Sequence, residues 1–86
     1  MKTLFICHLT ELHQPTGYTR HYSGGVRVGK PVVLEIRQYV GDIGFYLIHL
    51  DELGQELTDT YHETLDSAFV QAEKEFGITK NEFTSV

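Results

Sequence analysis

Residues 64–77 read Thr-Leu-Asp-Ser-Ala-Phe-Val-Gln-Ala-Glu-Lys-Glu-Phe-Gly, the stretch with the clearest structural pattern in the chain. Its apolar residues recur at helical spacing, which predicts an amphipathic helix from about residue 65 to about residue 76. Thr64 is placed to cap the first turn, and Gly77 to adopt the left-handed conformation that ends a helix. Glu73 and Glu75 are expected on the solvent side. The apolar positions are Leu65, Ala68, Phe69, Ala72 and Phe76.

The chain before this helix is predicted to form three consecutive antiparallel strands. Residues 31–40 and 43–50 are rich in β-branched and apolar side chains, and residues 55–61 are more polar. Turns are expected at Gly41 and at Gly54. Residues 3–9 are predicted to add a fourth strand, with the start of a helix as the alternative. The predicted fold is therefore α+β: a three- or four-stranded antiparallel meander with one C-terminal helix on one face.

The 86 residues are expected to form one domain. Residues 31–78 make up the sheet-plus-helix core, and residues 1–22 form an N-terminal segment of mixed composition. The chain has a single cysteine, Cys7, so no intramolecular disulfide is possible. A thin core without a disulfide is typical of a reducing compartment. The apolar run at residues 4–7 is too short for a secretion signal, and we therefore expect a cytoplasmic protein.

Charge excludes two classes of partner. Seven basic residues against twelve acidic ones give a net charge of -5. Nucleic-acid binding needs a clustered positive surface, and the sequence shows none. Charged residues also interrupt every apolar stretch before it reaches the length of a membrane span. We expect neither a nucleic acid nor a membrane as partner.

Two motifs that suggest cofactors are rejected on their context. Residues 24–30 match the first seven positions of the phosphate-binding loop, but Pro31 replaces the hydroxyl residue and a strand follows where a helix is needed. The N-terminal segment carries one cysteine and three histidines that are potential metal ligands, but their irregular spacing fits no structural zinc site. We therefore predict no metal and no cofactor, and a small buried apolar role for the cysteine. The four candidate ligands are Cys7, His8, His13 and His21.

The densest polar cluster spans residues 59–64, just before the helix. Asp59 and His62 could form an acid–base pair there. However, no nucleophile or glycine-rich oxyanion loop is visible nearby, and side chains at such corners commonly satisfy the first N–H groups of a helix. We predict structural corner or capping roles for Asp59, His62, Thr64 and Gly77. A small enzyme or metal-dependent protein using Asp59 and His62, or the N-terminal histidines, is the alternative.

The predicted strand register separates two faces of the sheet. The face assigned to the helix carries Leu34, Ile36, Phe45, Leu47, Leu57 and Tyr61. The opposite face should be polar if water covers it, but it carries aromatic and aliphatic side chains. Such a patch is large enough to mark an interaction site. The predicted interaction surface consists of Val33, Arg37, Tyr39, Tyr46, Ile48 and Leu50.

Either residues 1–22 of the same chain or another molecule is expected to pack against this surface. The second is favoured because residues 10–22 are polar, and the molecule is then another protein or a second copy in a homodimer. The sequence therefore predicts a non-enzymatic protein-interaction module.

Residues 54–77 resemble the tail of a family of small bacterial conserved hypothetical proteins. The pattern Glu-Leu-x-Asp-Thr-x-His-x-Thr-Leu begins at Glu56, and Gln-Ala-Glu-x-Glu-Phe-Gly ends it at Gly77. The resemblance implies a bacterial protein of one small domain, and it assigns no activity and no catalytic residue. Small acidic domains of this kind include immunity proteins and antitoxins, which suggests an immunity-like or regulatory role by analogy of size and charge.

Overall fold

The structure is a computed structural model that describes residues 2–10, 13, 22–23, 26–27 and 31–86. The elements in chain order are β1 (Lys2–His8), β2 (Tyr22–Ser23), β3 (Val26–Arg27), β4 (Val33–Gln38), β5 (Phe45–Leu50), β6 (Glu56–His62), α1 (Leu65–Phe76), a 3-10 turn η1 (Lys80–Glu82) and β7 (Thr84–Ser85).

Within the described residues, five strands form one antiparallel sheet in the order β6-β5-β4-β1-β7, and β2 and β3 form a separate two-stranded ribbon. The α+β class, the β4–β5–β6 meander and the N-terminal strand are confirmed. The predicted number of strands is wrong, because the chain after the helix returns along β1. There the Val86 N–H donates to the Leu4 carbonyl at 3.0 Å. The helix is therefore followed by η1 and β7 and is not the last element.

The register between β4 and β5 is the predicted one. Ile36 lies opposite Leu47 and Arg37 opposite Tyr46, so even positions of β4 share a face with odd positions of β5. Gly41 in the connecting turn has a φ of 80°, a conformation that glycine adopts without strain.

The register between β5 and β6 contradicts the prediction. His49 lies opposite Thr58 but Leu50 opposite Glu56, so Leu57 is an extra residue in the ladder. Because side chains alternate between faces, one extra residue reverses the faces of the whole strand after it. Thr58, Thr60 and His62 consequently face the helix, and Asp59 and Tyr61 lie on the opposite face.

The helix has the predicted bounds and caps. The Thr64 hydroxyl accepts a hydrogen bond from the Ser67 N–H at 3.1 Å, which satisfies one free donor of the first turn. Gly77 takes the left-handed conformation with φ 69°, and its N–H donates to the Glu73 carbonyl at 2.8 Å. The predicted roles of Thr64 and Gly77 are confirmed.

The core lies between α1 and the sheet and is closed by residues after the helix. Phe69 is at its centre, with its ring 5.2 Å from the rings of both Phe5 and Phe83 in edge-to-face contacts. Cys7 is buried as predicted, and burial, followed by the charge of Glu82, raises the pKa of its thiol. The buried cluster consists of Cys7, Leu34, Ile36, Leu47, Ala68, Phe69, Ala72, Phe76, Ile78 and Phe83.

Across the described ranges, no helix combines the length and the apolar character needed to cross a bilayer.

Candidate functional site

A row of three tyrosines crosses the sheet on the face away from the helix. The rings of Tyr39 and Tyr46 are 4.9 Å apart at 88°, and those of Tyr46 and Tyr61 are 5.2 Å apart at 65°. Both contacts are edge-to-face, an arrangement favoured by the aromatic quadrupole. The β4–β5 loop next to Tyr39 adds Val40 and Ile43, which are 91% and 87% exposed. We call these five residues the tyrosine surface.

Gly44 allows the third tyrosine to join this row. A Cβ atom at position 44 would overlap the Tyr61 ring, so the ring lies directly against the glycine backbone. Gly44 itself is buried. A side chain at this position would therefore displace the Tyr61 ring from its present position.

Two carboxylates act electrostatically on the middle tyrosine, Tyr46. Desolvation raises the pKa of the Tyr46 phenol, and the negative charges of Asp42 and Asp59 raise it further because they repel a phenolate. Asp59 is exposed in the middle of β6, and Asp42 is partly buried in the loop, where its Oδ1 accepts from the Gly44 N–H at 3.0 Å. The electrostatic potential here favours a cationic group over an anionic one.

The predicted interaction surface is only partly accessible. Ile48 and Leu50 are 0% and 4% exposed, so these two side chains are not available to a partner. Arg37 lies in an ion-pair network: its Nε is 2.7 Å from Glu35 Oε1 and its Nη1 is 3.1 Å from Glu56 Oε1. Val33 is partly buried. Tyr39 and Tyr46 remain, and the structure adds Tyr61 to them.

Asp59 and His62 do not form the acid–base pair considered from the sequence. Asp59 lies opposite Ile48 and His62 opposite Phe45, so the two side chains point to opposite faces. Asp59 is also three residues inside the strand, which removes the predicted role at the helix corner. His62 does lie at this corner.

The helix and the edge strand meet at a line of polar side chains, which we call the polar seam. His62 bridges it: its Nε2 is 2.8 Å from Thr60 Oγ1 and its Nδ1 is 2.9 Å from Ser67 Oγ. Burial lowers the pKa of the His62 imidazole, and the Glu75 carboxylate partly opposes this shift. The polar seam consists of His49, Thr58, Thr60, His62, Ser67, Gln71 and Glu75.

Glu75 corrects a sequence expectation, because it is buried and not on the solvent side. Its Oε2 is 3.5 Å from His49 Nε2, and both side chains are only 2% exposed. Its Oε1 accepts from the Gln71 amide at 3.0 Å. The sequence signal for this arrangement is the spacing of Ser67, Gln71 and Glu75 at every fourth residue, which puts them on one helix face.

The buried imidazole makes stability depend on pH. The pKa of His62 is lower in the folded chain than its usual 6.5, so between these two values the unfolded chain binds more protons. Stability should therefore fall as the pH drops through this window. Urea denaturation from about pH 7.5 to about pH 5 should show a smaller loss for His62→Gln than for the wild type. His8→Gln, at an exposed histidine, is the control and should behave like the wild type. Equal pH sensitivity of His62→Gln and wild type would contradict this assignment.

The candidate metal ligands of the N-terminal segment do not come together in the part of the chain that the structure describes. Cys7 faces the core and His8 is exposed, while His13 Nε2 is 2.9 Å from Glu82 Oε1. His21 and residues 24–25 and 28–30 of the phosphate-loop-like segment lie outside the described residues. Among the residues that are described, no group of three histidine, cysteine, aspartate or glutamate side chains is arranged to hold a metal ion.

Comparison with known proteins adds nothing to this geometry: no family model, curated protein or solved structure matches the chain.

Proposed function

We propose that this protein is a non-enzymatic interaction module that binds another protein through the tyrosine surface. The observation that supports it most is the row of Tyr39, Tyr46 and Tyr61, together with the exposed Val40 and Ile43 in the loop that follows Tyr39. Tyrosine is enriched among the residues that dominate protein–protein binding energy, because it offers a large contact area at low entropic cost. Exposed aliphatic groups at the edge of such a row enlarge the apolar area that a partner covers.

The charge of the molecule indicates the character of the partner. A net charge of -5, with Asp42 and Asp59 near the tyrosines, favours a partner with a basic surface. An acidic binding protein for a basic partner is the arrangement expected of an immunity-like or regulatory role. We further propose a cytoplasmic location, because Cys7 is the single cysteine and is buried as a free thiol.

Affinity capture with matched variants tests the proposal. The bait proteins are the wild type, a Tyr39→Ser/Tyr61→Ser variant and Val70→Ser, which changes a half-exposed residue of the helix. We expect a saturable protein partner that the wild type and Val70→Ser bind and the double variant loses. With the purified partner, each tyrosine should cost about 2 kcal/mol, or roughly thirtyfold in Kd. A partner bound equally by the double variant would place the interface elsewhere.

Gly44→Ala provides a second test that leaves all three tyrosines in the chain. The new methyl group must displace the Tyr61 ring, so affinity for the partner should fall while the far-ultraviolet circular dichroism stays unchanged. The chain has no tryptophan and five tyrosines, so its intrinsic fluorescence comes from the tyrosines and should change when the Tyr61 ring moves. Unchanged affinity together with an altered tyrosine signal would show that the third ring does not take part in binding.

A further inference from the structure

The strand β6 is the last strand at its side of the five-stranded sheet in the described chain. We propose that β6 accepts an extended basic segment of the partner protein as an added strand, with arginine or lysine side chains next to Asp59 and Tyr61. This inference rests on the proposed function and specifies how the partner binds. Strand addition of this kind gives affinity through the backbone and specificity through alternate side chains.

The hydrogen-bond pattern shows which backbone groups of β6 point away from the sheet. The Asp51 N–H donates to the Gln55 carbonyl at 2.9 Å, so Asp51 faces β6. The direction of the backbone N–H and C=O groups alternates from residue to residue along a strand. The backbone groups of Phe45, Leu47 and His49 therefore also point towards β6. Their partners are His62, Thr60 and Thr58, whose backbone groups therefore point inward.

The remaining residues, Asp59 and Tyr61, therefore direct their N–H and C=O groups outward. An unpaired row of this kind is a template for another strand. The bulge at Leu57 disturbs the ladder at one end of β6, which confines regular pairing to residues 59–62.

The side chains of the same two residues select the added strand. Asp59 and Tyr61 lie on the face that carries Tyr46, so the neighbouring side chains of an added strand would continue the row of tyrosines. Asp59 is exposed and forms no hydrogen bond or ion pair within the described residues. A guanidinium or ammonium group beside it would gain an ion pair and a contact with the Tyr61 ring.

The charge of β6 argues against a second copy as the added strand. Residues 56–63 contain Glu56, Asp59 and Glu63 and no lysine or arginine. Pairing β6 with itself would bring two acidic strands together, and like charges on neighbouring strands are destabilising. A basic segment would instead be attracted to the acidic residues of β6, and the net charge of -5 favours the same kind of partner.

Backbone hydrogen exchange provides the direct test, with a synthetic peptide of alternating arginine and valine as the probe. In the free protein, the Thr60 amide should be protected and the Asp59 and Tyr61 amides should exchange rapidly. Bound peptide should protect the Asp59 and Tyr61 amides from exchange. The affinity of the peptide should fall as the salt concentration rises. The same peptide with N-methylated amides on the pairing edge keeps its charge and side chains. It should bind roughly tenfold more weakly, the equivalent of about 1.4 kcal/mol.

Two protein variants distinguish the contribution of the Asp59 backbone N–H to peptide binding from that of its carboxylate charge. Asp59→Asn should weaken the arginine peptide by removing the carboxylate alone. Asp59→Pro also removes an outward N–H, which an edge strand tolerates, and should abolish protection at Tyr61. If Asp59→Pro fails to fold, the N-methylated peptide decides the same question.

Three results would overturn the strand-addition proposal. They are absence of peptide binding, equal binding of the N-methylated peptide, and concentration-dependent protection of Asp59 and Tyr61 in the protein alone, which would identify a second copy. Each can occur while the Tyr39→Ser/Tyr61→Ser capture experiment still succeeds, so the two proposals fail separately.

Discussion

Replacing Phe69 by alanine is expected to lower the free energy of unfolding by about 3–5 kcal/mol. Phe69 is 5% exposed, and its ring contacts Phe5 of β1 and Phe83 after the helix. The Lys80 ammonium lies over the Phe69 ring, 5.5 Å from its centroid. Alanine would leave a cavity where the helix, the N-terminal strand and the C-terminal return meet, and the cost of such a cavity adds to the lost burial.

Urea denaturation followed by circular dichroism measures this loss. Val70→Ala is the matched control, because Val70 is the next residue on the same helix and is 50% exposed. Its effect should stay within about 0.5 kcal/mol. If Phe69→Ala and Val70→Ala destabilise the protein equally, Phe69 is not the centre of the core.

The second large effect concerns the buried pair of His49 and Glu75. Replacing either residue alone by leucine is expected to cost about 3–5 kcal/mol, because it leaves a polar or charged group buried opposite an apolar side chain. The two atoms His49 Nε2 and Glu75 Oε2 are 3.5 Å apart and both side chains are 2% exposed, so water cannot compensate the loss. The double replacement should recover most of the stability, since it removes both polar groups.

A double-mutant cycle measures this coupling. The four proteins are the wild type, His49→Leu, Glu75→Leu and the combined variant, compared by urea denaturation at one pH. Strong non-additivity is the expected outcome. Additive losses would show that the two side chains contribute to the polar seam independently. Glu73→Leu, at an exposed position of the same helix, controls for the change of residue type.

These two effects concern stability and are distinct from the proposed binding role. The polar seam and the Phe69 cluster lie on the helix side of the sheet, whereas the tyrosine surface lies on the other side. Variants of the tyrosine surface can therefore change binding without removing the core. Loss of folding would appear in urea denaturation, whereas loss of the interface would lower binding in the capture and peptide experiments without changing stability.

The features of the fold that depend on contacts between residues close in sequence can be predicted from the sequence alone. The helix from Leu65 to Phe76, its Thr64 cap and its Gly77 end follow from spacing and capping over one short stretch. The pairing of β4 with β5 follows in the same way from one turn at Gly41. Such interactions are local, so the residues that make them are adjacent in the sequence.

The sequence places Tyr39 and Tyr46 on the candidate surface, but the positions of Tyr61 and Asp59 depend on strand pairing between distant parts of the chain. One extra residue at Leu57 reverses the faces of β6, which moves Tyr61 and Asp59 to the tyrosine side and separates Asp59 from His62. The burial of Glu75 likewise depends on contact with a distant strand. The physical reason is that strand side chains alternate with a period of two, so a single bulge exchanges the two faces, and no local pattern in residues 55–61 marks its position.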